Sequence, residues 1–220
     1  MLTIRKVYQT ILSTLLIVIS AIFKSRKFFF RGKSYNYFYH WSNWAYLNER
    51  VVEVPIVWEV IKLNRGKRIL EVGNVFSQYF TIDHDVLDKY EIAPGVVNQD
   101  VVDFKPSSKY DLIVSISTLE HVGWDEEPRE PLKILRAIDN LMNCLNSNGM
   151  LLVTLPIGYN SAMDEILENE AIPFTERRYM KRNSRGNRWV EAEWSDVKGL
   201  KYSSPPSANG LVIGIICKIS

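Results

Sequence analysis

Three features of the sequence predict an α/β domain with a mostly parallel sheet that ends in an antiparallel strand. From Lys67 onward, short β-rich runs alternate with helical patterns, the mark of βαβ units. The first run, Ile69-Leu-Glu-Val-Gly73, goes straight into a glycine turn, as a strand does when it delivers backbone N–H groups to a ligand. The last third of the chain has β-rich runs separated by turns instead of long helices.

Composition sets the outer limits. With 220 residues, 46% hydrophobic and 24% charged, the chain has the balance of a folded globular protein. A net charge of +2 gives no ground for a nucleic-acid partner. The two cysteines, Cys144 and Cys217, form no Cys-x-x-Cys pair. His40, His84 and His121 lie far apart, so no metal ligand set is expected.

The first fifty residues differ from the rest. Val7 to Phe23 carries no charge and as a helix would span about 26 Å, near the lower limit for crossing a bilayer core. Three readings apply: a membrane anchor, a cleaved signal peptide preceded by Arg5 and Lys6, and a buried or partner-docking helix. The anchor is preferred. The basic residues that follow (Lys24, Arg26, Lys27, Arg31 and Lys33) outweigh those before it and place the C-terminal bulk in the cytoplasm. Next comes an aromatic run: Phe28, Phe29, Phe30, Tyr35, Tyr37, Phe38, Tyr39, Trp41, Trp44 and Tyr46. It suits an interfacial belt, a stacking surface for a sugar, or the packing of an N-terminal cap helix. The expected division is 1–54, a membrane-anchor helix with an aromatic and basic linker, and 55–220, the α/β domain. Pro55 opens a helix over Ile56 to Leu63 from its first turn.

Within the domain, strands are expected at Arg68–Val72, Asp85–Leu87, Val96–Asn98 and Tyr110–Ile116. The last of these is the continuous apolar run of a strand covered on both faces. Pro131 to Leu145 reads as an amphipathic helix, stopped by a left-handed Asn146-Ser-Asn-Gly149 segment, and Met150–Leu155 as the next strand. Glu176–Met180, Trp189–Trp194 and Leu211–Ile219 complete the sheet, the first two as a hairpin about Asn183-Ser-Arg-Gly186.

Acidic residues recur where these strands end. Asp88 lies fifteen residues beyond Gly73, near the spacing at which a carboxylate accepts ribose hydroxyls. Asp100 lies twelve further on and is suited to an adenine amino group, with Val101 covering the ring. All these loops fall at the carboxyl ends of strands, where open α/β sheets bind ligands.

Taken together, ILEVG, VLDKYE, QDVVDF, KYDLIVSISTLEHV and LMNCLNSNGMLLVTLP resemble, in order and spacing, the class I S-adenosylmethionine-dependent methyltransferases, in particular their small-molecule branch. The resemblance runs from about Lys67 to Tyr159. It implies a Rossmann-like fold, S-adenosylmethionine as cofactor, and methyl transfer to a small-molecule acceptor; the tether and the aromatic run add a glycan-type acceptor at the cytoplasmic membrane face as an expectation. It further implies that Glu71, Gly73 and Asn74 line the methionine side, Asp88 holds the ribose, Asp100 and Val101 the adenine, and that Ser115 and Ser117 close the pocket near the sulfonium. The sequence departs from that family at its glycine motif, where Val75 and Ser77 replace the second and third glycines. A Cβ at position 75 is expected to crowd the cofactor or shift the loop, which keeps a non-catalytic, partner-binding scaffold as the alternative. A nicotinamide enzyme is disfavoured by the missing Gly-x-Gly-x-x-Gly and by the antiparallel tail.

A hydroxyl acceptor needs a base. His121 is the first candidate and Glu120 the second, both just past the fourth strand of the domain; each has a structural reading as well, as a loop cap or backbone orienter. Tyr159 and Asn160 are weaker candidates for touching the acceptor. Asp125-Glu-Glu-Pro128 reads as a solvated turn or a lid, and Arg177, Arg178, Lys181, Arg182, Arg185 and Arg188 as solvated strand faces or an anion site.

Overall fold

The computed structural model describes residues 26–183, 187–203 and 207–218. The apolar segment Val7 to Phe23 lies outside the described residues. Among the described residues no helix is long and apolar enough to cross a membrane.

The centre is an eight-stranded sheet. Its strands are β3 (Ile69–Val72), β4 (Asp85–Leu87), β5 (Val96–Val97), β6 (Tyr110–Ile116), β7 (Leu145–Pro156), β8 (Glu176–Asn183), β9 (Arg188–Ala192) and β10 (Gly210–Cys217), in the order β5-β4-β3-β6-β7-β10-β8-β9. The pairs from β5 to β7 are parallel. β10 runs antiparallel between β7 and β8, and β9 closes the edge as a hairpin with β8. The architecture is thus a Rossmann-like α/β sheet with a reversed C-terminal strand, as the sequence predicts.

Period-two alternation divides the core between the two faces. Leu70, Ile113, Leu151 and Val153 face α2 (Lys133–Cys144) and α3 (Ser161–Glu168). Ile69, Leu112, Val114, Leu152 and Ile213 face α1 (Arg50–Leu63) and a separate hairpin, β1 (Lys27–Phe30) with β2 (Lys33–Asn36). Burial on both faces explains why Tyr110 to Ile116 reads as an unbroken apolar run.

Three sequence expectations are corrected. First, α1 begins at Arg50, so the boundary expected between 54 and 55 falls inside a helix and Pro55 sits in its interior. Proline has no N–H for the Val51 carbonyl, and the Phe38 N–H takes that oxygen instead, at 2.9 Å. A neighbouring segment thereby satisfies the acceptor that the proline leaves.

Second, the aromatic run is neither a cap helix nor wholly a surface belt. Phe28 and Phe30 are buried in the same core as Trp189 and Leu211, while Phe29, Trp41 and Trp44 are exposed. Tyr37 ties the hairpin to β9, its hydroxyl accepting from Trp189 N at 2.8 Å. Arg31 pairs with Glu176 and Lys33 with Glu59, which draws part of the basic cluster into the fold.

Third, Asn146 to Gly149 does not form a left-handed helix stop. Leu145 is already extended and pairs with Tyr110, and the next pair is Leu112 with Met150. The segment is therefore an excursion within β7, with Asn148 at φ +61° as its left-handed residue.

Candidate functional site

β3 runs into Gly73, whose φ is +88° and whose N–H donates to the Leu87 carbonyl at 2.8 Å. A Cβ there would stand 2.2 Å from Thr118 Oγ1, so the turn requires glycine both for its dihedral and for the close approach of the loop after β6. Val75 needs no such freedom. Its φ is −97° and its ψ −47°, an ordinary right-handed conformation leading into a 3-10 turn at Phe76–Gln78. The departure from the glycine pattern is therefore accommodated by a loop of different shape, and Val75 contributes apolar wall to a cavity.

That loop is held from beneath by Glu71. Its Oε1 accepts from the N–H groups of Val75 and Phe76, both at 2.8 Å, and its Oε2 lies 2.8 Å from His84 Nε2. Glu71 is fully buried and does not line the cavity, which corrects its expected place on the methionine side. The physical reason is local: two otherwise unpaired N–H groups at the turn claim the carboxylate first.

The cavity above the turn measures about 490 Å³, within the range of small-molecule sites. Gly73, Asn74, Asp88, Asp100 and Val101, which the sequence assigns to a cofactor, all line it, and Thr118, Lys89, Glu91 and Glu126 join them. Asp88 organises the rim. Its Oδ1 accepts from Tyr90 N and Glu91 N at 2.9 and 2.8 Å, and its Oδ2 from Asn74 N at 3.3 Å. A carboxylate has about four acceptor positions, so one remains on Oδ2 for a ligand hydroxyl.

Asp100 is more tightly engaged. Lys133 and Lys89 both reach its Oδ2, at 2.6 and 2.8 Å, and both also pair with Glu126. Burial works to raise the Asp100 carboxyl, but the hydrogen bonds from Lys133 and Lys89 prevail and bring it down to about 2. This four-membered network joins the end of β5, the acidic loop and the start of α2. The acidic loop at 125–128 is thus tied down as a wall of the cavity. Sequence reasoning missed the two lysines because nothing in their local context sets them apart from solvated charges.

Ser115 and Ser117 do not close this cavity. Ser115 is buried within β6 and donates to the Val72 carbonyl at 3.1 Å, an interior cross-strand bond. Ser117, at φ +37°, turns the other way and donates to Glu53 Oε1 at 2.5 Å. It lines a second cavity of about 440 Å³, together with Trp44, Glu49, Arg50, Glu120 and Tyr202.

His121 lines both cavities. Its Nδ1 is 2.5 Å from Asp125 Oδ2, which also accepts from the Tyr159 hydroxyl at 2.6 Å. Burial would raise the Asp125 carboxyl, but the Tyr159 and His121 hydrogen bonds lower it below its usual value. An ionised carboxylate only accepts, so Nδ1 carries the proton of that bond. Nε2 is 3.6 Å from Glu120 Oε1. Glu120 itself is buried, which pushes its carboxyl well above the usual range. Tyr159 packs edge-on against His121 at 4.8 Å and serves to position it. Asn160 is fully buried: it caps α3 by accepting from Met163 N and donates to the Glu120 carbonyl at 2.8 Å, so it has no route to an acceptor.

Four members of the basic run are engaged by neighbours, Lys181 by Asp196 at 3.9 Å. Arg177 pairs with Glu170, Arg178 with Glu176, and Arg182 with Asn187 and Ser207; Arg185 lies outside the described residues.

No family model matches the chain, and no curated protein matches its sequence. Among solved structures the chain is similar to the N-methyltransferase NodS from Bradyrhizobium japonicum in complex with S-adenosyl-L-homocysteine. The identity is 12%, over 76% of this chain and 88% of that one, with a TM-score of 0.46. It is also similar to the sugar N-methyltransferase KedS8 from a Streptoalloteichus species, at 12% identity over 76% and 87% of the two chains and a TM-score of 0.41. A third is TehB from Haemophilus influenzae, at 12% identity over 77% of this chain and 63% of that one, with a TM-score of 0.44.

Proposed function

We propose that this protein transfers a methyl group from S-adenosylmethionine to a small-molecule or glycan-type acceptor. The observation that carries the reading is the adjacency of two cavities at the carboxyl ends of β3 to β6, with His121 common to both. Asn74 and the Gly73 turn would hold the methionine part, Asp88 the ribose, and Val101 beside Asp100 the adenine. These residues form one wall, and the volume suits a ligand of that size. The cofactor supplies a methyl group already activated on a sulfonium. The chain's own task is then to align the acceptor, exclude water and remove a proton. His121 is suited to the last step, since Asp125 engages Nδ1 and orients the ring, with Nε2 on the side of Glu120.

The cytoplasmic membrane face is the second part of the proposal. It is supported by the uncharged segment Val7 to Phe23 and by the basic residues after it. Removing Met1 to Phe23 should release the protein from membranes; a full-length chain already free in solution would refute this part.

Calorimetric titration of the full chain with S-adenosylmethionine tests the first part. Binding is expected, and Asp88→Ala is expected to weaken it more than tenfold. No heat of binding at millimolar cofactor would overturn the reading.

A further inference from the structure

The second cavity has an unsatisfied group at its base. Two of its lining residues, Glu49 and Glu120, are buried carboxylates, with buried Glu53 behind them. Glu53 is fully provided for, by Arg50 at 2.5 Å and by the hydroxyls of Ser117 and Thr154 at 2.5 and 2.6 Å. Glu49 accepts from Ala208 N at 2.8 Å and lies in the field of Arg50 and Arg182. Glu120 differs. It is 2% exposed, and its Oε2 has no hydrogen-bond partner among the described residues. The cation-forming group nearest to it is His121, at 3.6 Å, whose other nitrogen already serves Asp125. A buried polar atom without a partner is costly and rare, and at the base of a cavity it marks a place where a ligand completes the bonding.

We propose that the methyl acceptor is an amine, bound in this second cavity with its nitrogen against both Glu120 and His121. The inference rests on the methyl-transfer reading and names the acceptor class for it. Glu49, Glu53 and Glu120 share Arg50 as the one cation among the cavity's described lining residues, so the cluster is short of positive charge. An ammonium group brings both the charge and the donors that Glu120 lacks. Trp44, exposed at the rim, offers a flat face to the rest of the molecule.

The chemistry closes in protons and electrons. As the ammonium enters, the proton that burial holds on Glu120 leaves by way of His121 Nε2, and the bound R–NH3⁺ then gives one proton to the Glu120 carboxylate. The freed nitrogen lone pair forms the N–C bond to the methyl carbon as the C–S bond breaks, and that electron pair stays on the now neutral sulfur. The product leaves as R–NH2⁺–CH3. The proton on Glu120 passes by way of His121 Nε2, on a half-exposed ring, to solvent.

Matched amine and hydroxyl compounds test the proposal on the full-length protein: glucosamine against glucose, and cyclohexylamine against cyclohexanol. Formation of S-adenosylhomocysteine is measured with S-adenosylmethionine present, and direct binding by titration without it. At least one amine is expected to exceed its hydroxyl partner tenfold or more in kcat/KM and in affinity. Glu120→Gln is expected to abolish that preference while S-adenosylmethionine binds as before. Amines that bind and react no better than their hydroxyl partners would overturn the proposal, as would an amine preference that survives Glu120→Gln. Because the binding arm needs no cofactor, it decides the acceptor question even where cofactor titration fails and the methyl-transfer reading falls alone.

Discussion

Glu71 Oε1 accepts the Val75 N–H at 2.8 Å and so fixes a glycine-poor turn from below. The same oxygen takes the Phe76 N–H, and the other carboxylate oxygen meets His84. In a turn with three glycines the chain follows its path because its dihedrals are free; here a buried carboxylate imposes the path. Glu71→Ala would strand two N–H groups and remove the partner of a buried histidine. It should lower the unfolding free energy by about 3 kcal/mol, read by urea denaturation, and weaken S-adenosylmethionine binding in parallel. A change below about 0.5 kcal/mol would mean that water replaces the carboxylate and that the turn holds its own shape.

Gly73 is the one position of the motif where glycine cannot be replaced. Alanine there would be strained at φ +88° and would collide with Thr118. Gly73→Ala is expected to reduce cofactor affinity more than tenfold, whereas Val75→Gly should leave it within about threefold, since Val75 already has a right-handed backbone. Equal effects of the two substitutions in titration would show that the turn is not shaped as described.

The hairpin that precedes α1 is part of the domain core and should behave so. Phe28 is 2% exposed, stacks with Tyr35 and packs at a tilt against Tyr37 in the cluster that contains Trp189. Phe28→Ala should lower global stability by about 3–4 kcal/mol with a single cooperative transition. Two separated transitions in denaturant would indicate that residues 27–36 unfold independently.

These cases show which parts of the molecule the sequence discloses. The strands and α2 are legible because their burial is periodic: Leu112, Val114 and Ile116 face one layer and Ile113 the other. Asp88, Asp100 and Val101 are legible because strand ends and spacing alone carry them to one cavity. Glu71, Ser115 and Ser117 lie outside the cavity to which the sequence assigns them, since spacing gives position along the chain but not which hydrogen bond a side chain satisfies first. Arg50 and Glu53 were hidden for a different reason. They lie in a helix whose interior proline reads as a start, and the Phe38 bond that takes up the Val51 carbonyl comes from outside the helix. The Lys89–Asp100–Lys133–Glu126 network joins residues up to 44 positions apart, and no local pattern announces it.

Asp164 gives the fold a measurable pH dependence away from the site. It lies in the first turn of α3, and its two oxygens accept from Gly158 N at 3.2 and 3.0 Å. Burial raises its carboxyl from 3.8 to about 6, against the pull of that hydrogen bond. The folded state therefore binds the proton more tightly than the unfolded chain. The resulting stabilisation is complete below about pH 3.8 and is lost as pH rises through about 6. Discounted for partial exposure, the difference is about 1–2 kcal/mol. Asp164→Asn keeps an acceptor for Gly158 and removes the titration. The stability of the natural protein relative to this variant should fall by that amount between pH 4 and pH 7.5, measured by urea denaturation at each pH. Using the difference between the two proteins cancels the opposite trend from Asp100, whose lowered carboxyl contributes stability above the unfolded value and loses it as pH falls toward about 2. A constant difference across this range would place the Asp164 carboxylate in contact with water and remove it from the account of the fold.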